Sequence, residues 1–143
     1  MKLKIIFFTI LFASNCYAAI KNFHNEYENI IPGRSTLEDV IDNLGAPKSK
    51  IANSNNVKYI FEKVEVTIQD ATGLVNTIII NNDYEFEDKN GVKLGDSTTK
   101  FENKTNRTVG DKSALGDCRN GYNYWFKNNK VDRIVLGHSM RCN

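Results

Sequence analysis

Pro32-Gly33-Arg34-Ser35-Thr36-Leu37-Glu38-Asp39-Val40-Ile41-Asp42-Asn43-Leu44-Gly45-Ala46-Pro47 is the stretch that decides the fold. Ser35-Thr36-Leu37-Glu38 reads as a capping box, in which a hydroxyl and an acid three residues later satisfy each other's free backbone amides. Leu37, Val40, Ile41 and Leu44 recur at i, i+3, i+4 and i+7, the stripe of a helix with one apolar face. Gly45 supplies the stop, and Pro47 bars continuation. The spacing predicts a helix over 35–44. Such a helix needs a surface to lie on.

Downstream the period changes from helical to alternating. A strand is expected over 57–62, with Tyr59 and Phe61 on one side. Residues 63–69 alternate cleanly, Val64, Val66 and Ile68 facing one way and Glu65, Thr67 and Gln69 the other. Asp70-Ala71-Thr72-Gly73 is a turn, and 74–80 returns as the next strand. Alternation of this kind implies an antiparallel sheet with one wet face and helices on the other. Upstream, Ile20, Phe23, Tyr27 and Ile30 or Ile31 recur every three to four residues, which predicts a further short amphipathic helix ended by Pro32-Gly33.

The order then repeats. Gly91 to Thr98 parallels Ile30 to Thr36, each placing glycine and a Ser-Thr pair before a helix. The second helix is expected over 98–105, with Phe101 its one large apolar residue. Residues 122–126, the turn Asn128-Asn129 and residues 131–136 read as a hairpin, Lys127 opposite Lys130. The expected fold class is therefore α+β, with two similar units. Each has one or two short helices packed on one face of an antiparallel sheet. The units span 19–83 and 84–143 within one compact mature domain.

The first eighteen residues have a different character. Met1-Lys2-Leu3-Lys4 is a basic start to the apolar run Ile5 to Ala13, which is too short to span a bilayer, for which about 20 residues are needed. It suits the core of a signal peptide, with Cys16-Tyr17-Ala18 ahead of cleavage after Ala18. Periplasmic or secreted localisation follows, with no membrane span after the signal is removed. Ala13-Ser14-Asn15-Cys16 offers the alternative of an outer-membrane lipoprotein acylated at Cys16. Against it, Asn15 is bulky for the position before such a cysteine, and Ala13 stands where leucine is preferred. In an oxidising compartment Cys118 and Cys142 are expected to form a disulfide, closing a loop of about 25 residues worth roughly 3–4 kcal/mol.

Composition excludes some functions. The 143 residues are 41% hydrophobic and 25% charged, as in ordinary globular domains. Removing Lys2 and Lys4 from 19 basic residues leaves 17 against 17 acidic ones. A neutral chain lacks the excess positive charge that neutralises nucleic-acid phosphates. Two histidines and three cysteines leave little for a metal site, and no metal or cofactor is expected. His24 fits the apolar stripe of the first helix as a packing residue, and His138 a strand end near the disulfide. No Ser-His-Asp or Cys-His set can be assembled.

Four features resemble a known signature: Pro32-Gly33-Arg34-Ser35-Thr36 before a helix, Leu44-Gly45-Ala46-Pro47 after it, then Tyr59-Ile60-Phe61 and Asp70-Ala71-Thr72-Gly73-Leu74-Val75-Asn76-Thr77-Ile78. The pattern resembles the SmpA/OmlA family of small outer-membrane assembly lipoproteins. Its tandem use is similar to that in β-lactamase inhibitory proteins, and the second copy resembles secreted domains that carry Gly-Asp-Ser before a cysteine-bearing sheet. The resemblance implies helix-plus-sheet units that bind proteins, with no catalytic residues to carry over.

The expected function is thus a non-enzymatic, exported protein-binding protein of the bacterial envelope. It would be an assembly factor, or an inhibitor or immunity protein, with another protein as partner. A small envelope hydrolase and a structural protein without a single partner are the alternatives. Strand alternation turns Tyr122, Tyr124 and Phe126 to one face and Trp125 to the other, which makes Trp125 the first candidate anchor. Tyr84, Glu85 and Glu87, with Phe86 and Asp88, form a candidate acidic, aromatic rim between the halves. The competing reading of that rim is a solvated edge strand kept from aggregating by its charge.

Overall fold

A computed structural model describes residues 25–117 and 120–137. The expected signal over 1–18, Cys16, His24, His138 and the Cys118–Cys142 bridge lie outside the described residues. Within them the chain is α+β, with two helices and one seven-stranded antiparallel sheet. The elements in chain order are α1 (Leu37–Leu44), β1 (Ser49–Ala52), β2 (Asn56–Ile60), β3 (Val64–Gln69), β4 (Val75–Ile80), α2 (Thr98–Thr105), β5 (Ala114–Asp117), β6 (Tyr122–Lys127) and β7 (Lys130–Gly137). Across the sheet the order is β1-β2-β3-β4-β7-β6-β5, so β4 and β7 pair at its centre.

α1 forms as its stripe requires, with its cap displaced by one residue. Thr36 is the N-cap and Asp39 its partner: the Asp39 amide donates to Thr36 Oγ1 at 3.3 Å, and the Thr36 amide donates to Asp39 Oδ2 at 2.7 Å. Ser35 is occupied elsewhere. Its hydroxyl accepts the Ile31 amide at 3.0 Å and its carbonyl accepts the Val75 amide at 2.8 Å, so the Ser35–Glu38 box does not form. Of the stripe, Val40 is fully buried, Leu37 and Leu44 pack at the core's margin, and Ile41 is 41% exposed. Val40→Ala is accordingly expected to cost about 2 kcal/mol, and Ile41→Ala under about 0.5 kcal/mol, in urea melts.

The helix expected around 20–31 is corrected in its described part. Tyr27 and Ile30 exchange both backbone hydrogen bonds, at 3.0 and 2.8 Å, across Glu28 and Asn29, which sit at φ 48° and 63°. Helices require negative φ, so this is a two-residue reverse turn. Both flanking side chains are buried, which is why their three-residue spacing imitates a helical stripe.

The alternating strands lie where expected, with differences at their ends. β2 stops at Ile60, and the Phe61 amide donates to the Val64 carbonyl at 2.9 Å, so a tight turn at Glu62-Lys63 separates two strands that the sequence runs together. β1 and β5 are additional edge strands. The β6–β7 hairpin closes on Lys127 opposite Lys130, through Asn128 and Asn129 at φ 53° and 57°. Beyond the turn, Phe126 faces Val131 but Trp125 faces Arg133, leaving Asp132 as an extra residue in a bulge. β4 has the same irregularity: Ile68 faces Val75 and Thr67 faces Thr77, with Asn76 extra.

One face of the sheet carries the core. Val64 and Val66 of β3, Ile78 and Ile80 of β4, Ile134 and Leu136 of β7, and Tyr122 and Tyr124 of β6 are all buried there. Val40 of α1 and Phe101 of α2 join the same cluster. The Phe101 ring meets Tyr124 and Phe126 edge-on, with centroids 4.8 and 5.0 Å away.

Candidate functional site

The second face of the sheet is partly exposed among the described residues. One row across it runs Ile60, Glu65, Ile79, Val135 and Asn123, each opposite the next on the adjoining strand. Three of these five are aliphatic and half-buried. Glu65 holds Lys58 at 2.8 Å and accepts from Asn81 Nδ2 at 3.0 Å, so the row's one anion is neutralised from within. Asn123 Oδ1 is buried and has no donor.

Trp125 stands on this face with 47% of its surface exposed, while its neighbour Tyr124 is fully buried. Alternation placed it outward, as the sequence predicts. The Arg133 guanidinium lies over the indole, 5.8 Å from the ring centroid, within the range of a cation–π contact. Extending the Lys127–Lys130 register without a bulge would set Asp132 opposite Trp125. The bulge sets Arg133 there instead, and this is why sequence reasoning missed the arginine.

Tyr84 is 64% exposed, the most exposed of the large hydrophobic side chains described. Its connector is not an edge strand: residues 81–93 are bends and turns, and buried carboxylates rather than solvated charge hold them. Asp83 accepts the Tyr27 hydroxyl at 2.7 Å and the Glu85 amide at 3.2 Å, with Lys63 at 3.4 Å. Asp88 accepts the Tyr124 hydroxyl, and its Oδ1 takes the Asn90 and Val92 amides at 2.8 Å each. Asp96 accepts the Lys93 amide at 3.0 Å and pairs with Lys100 at 2.7 Å and Lys104 at 2.8 Å. Lys104 also donates to the Gly91 carbonyl. Of the rim acids, Glu87 is paired with Lys93 at 3.1 Å and Glu85 is exposed, while Asp88 is withdrawn into the core.

These environments set the titration. Burial pushes Asp83 and Asp96 up, but their hydrogen bonds and lysines outweigh it and hold both below the usual carboxylate value. For Asp88 burial wins over the Tyr124 hydroxyl and the two amides, and its carboxyl is raised. Burial, with the adjacent carboxylates second, also raises the hydroxyls of Tyr27 and Tyr124. Asp83 and Asp96 therefore stabilise the fold above the unfolded carboxylate pKa of about 3.9 and lose that contribution as pH falls through their lower folded values. Asp88 has the opposite sign: its contribution is full below about pH 3.9 and is lost as pH rises through its raised value. Urea melts between pH 3 and pH 6 are expected to show Asp96→Asn falling further behind the native chain as pH rises. Asp88→Asn should gain on it over the same range.

Chemically, the buried carboxylates are engaged as struts, each saturated by donors of the fold. Among the described residues no three His, Cys, Asp or Glu side chains are grouped to hold a metal ion, and no helix is long and apolar enough to cross a membrane. The structure places Trp125 on the second face of the sheet and Tyr84, Glu85 and Glu87 on the connector, where Tyr84 lies beside the β6–β7 hairpin. No family model matches the chain, and neither a curated protein nor a solved structure matches it.

Proposed function

We propose that the chain is an exported, non-enzymatic protein-binding protein of the bacterial envelope, an assembly factor or an inhibitor or immunity protein. It grips its partner with the open face of the sheet. The observation that carries this reading is Trp125, an indole half exposed beside Arg133 on a face whose central row includes Ile60, Ile79 and Val135. Tryptophan and arginine are the residues in which interface energy concentrates.

The tandem reading belongs to the same proposal: two helix-plus-sheet units, of the kind resembling SmpA/OmlA proteins, joined through β4 and β7. Its support is a set of matching local geometries. Thr36 bridges Leu74 as Ser97 bridges Lys130, ahead of α1 and α2 respectively. The Val75 amide donates to Ser35 and the Val131 amide to Asp96, each at 2.8 Å. The bulged Asn76 and Asp132 follow directly after those two valines.

The test is capture from the envelope fraction of the source cells, using the mature chain beginning at Ala19, followed by mass spectrometry. One stoichiometric partner, lost with Trp125→Ala, is the expected result. Absence of any stoichiometric partner overturns the proposal, as does capture that the substitution leaves unchanged.

A further inference from the structure

Between Tyr84 and the β6–β7 hairpin lies a cleft of about 540 Å³, lined by Asn81, Tyr84, Leu94, Lys127, Lys130 and Asp132 among others. Its electrostatics are unusual. Lys127 and Lys130 face each other directly as the last pair of the hairpin, and like charges in that position repel. They cannot slip apart, because Asn128 and Asn129, both left-handed, fix the register of the two-residue turn.

Among the described residues neither ammonium is neutralised by a carboxylate. Lys58, Lys63, Lys93, Lys100 and Lys104 each have a carboxylate partner, and Asp132 at the cleft is held by Arg133 at 3.4 Å. Among the described residues no carboxylate comes within ion-pair distance of Lys127 or Lys130. The opposite wall is aromatic. The Tyr84 ring rests against Gly95, where a Cβ would lie 3.9 Å from it, and the side chain is 64% exposed.

We infer that this cleft receives an acidic segment of the protein partner, with carboxylate side chains seated between the Lys127 and Lys130 ammonium groups and against Tyr84. The inference rests on the protein-binding function proposed above and names the chemistry of the partner. An anion placed between two like charges removes their repulsion, so the site gains more from a carboxylate than two separate lysines would. The surroundings favour a short acidic segment over a polyanionic surface. Neighbouring charges are already paired, as Lys58 with Glu65 and Arg133 with Asp132, whereas membranes and nucleic acids need a broad area of one sign.

The experiment is an amide-resolved NMR titration of the mature chain with a hexaglutamate peptide. Inorganic phosphate and a hexalysine peptide serve as parallel probes. Hexaglutamate is expected to move the amides of Tyr84 and of residues 127–130 and to saturate, with a dependence on salt. Lys130→Glu turns the repelling pair into an attracting one, so it is expected to raise the thermal midpoint while weakening hexaglutamate at least tenfold. A fall in binding therefore cannot be ascribed to unfolding.

Hexaglutamate shifts that are absent, or that survive Lys130→Glu unchanged, overturn the inference. So does phosphate binding as tightly as the peptide, which would make the cleft a small-anion site, and so does hexalysine binding there. The peptide arm needs no identified partner. Its failure condemns the cleft alone, whereas failure to capture a partner condemns the protein-binding function.

Discussion

Phe101→Ala is expected to cost about 3–5 kcal/mol, the range for truncating a fully buried aromatic ring. Phe101 is the one buried residue of α2, and its ring touches both Tyr124 and Phe126 edge-on. Removing it withdraws the helix's only apolar anchor and leaves a cavity against Tyr124, whose hydroxyl is held in place by Asp88 and which cannot move to fill the gap. Against a total stability of about 5–15 kcal/mol, that loss is a large fraction. Thr99→Ala, on the exposed side of the same helix, is expected to change stability by less than about 0.5 kcal/mol. Equal midpoints for the two variants in urea melts would mean that α2 does not close the core.

The consequence of Phe101 was legible because a helix with one large apolar residue has one way to dock. The alternating runs in β3 and β6 were legible for the same reason: a period of two with aliphatic or aromatic side chains permits one buried face. β1 was not, since Ser49–Ala52 is exposed along its whole length and pairs through its backbone alone. β5 offers only Leu115 to the core. The bulges at Asn76 and Asp132 were also hidden, because an extra residue in a strand leaves the composition of that strand unchanged.

The site divides along the same line. Exposure of Trp125 and Tyr84 follows from local pattern. Burial of Asp83 and Asp88 depends on hydroxyls that lie 56 and 36 residues away in the chain, and only the folded structure brings Tyr27 and Tyr124 to them. A charged connector therefore reads as a solvated edge when it is a clasp. Arg133 was lost to the bulge that moves it by one position to face Trp125.

Trp125→Ala is expected to leave the fold nearly intact and to weaken the partner by at least thirtyfold, about 2 kcal/mol. The indole is half exposed, so its removal opens no internal cavity and costs under about 1 kcal/mol in stability. At an interface the same truncation removes a large rigid surface and leaves Arg133 without the ring beneath it. A core tryptophan would behave in the opposite way, with a loss of roughly 3–5 kcal/mol in stability. A urea melt and a binding titration on the one variant separate the two cases, and unfolding by Trp125→Ala would assign the aromatic run to the core.

The open face as the gripping surface is tested most directly by hydrogen–deuterium exchange of the chain alone and with its captured partner. The reading predicts that binding slows exchange in β6 and β7 around Trp125 and Arg133 and in the Tyr84 connector, and leaves α1 and α2 unchanged. Protection confined to the two helices, with β6 and β7 exchanging as in the free chain, would contradict it.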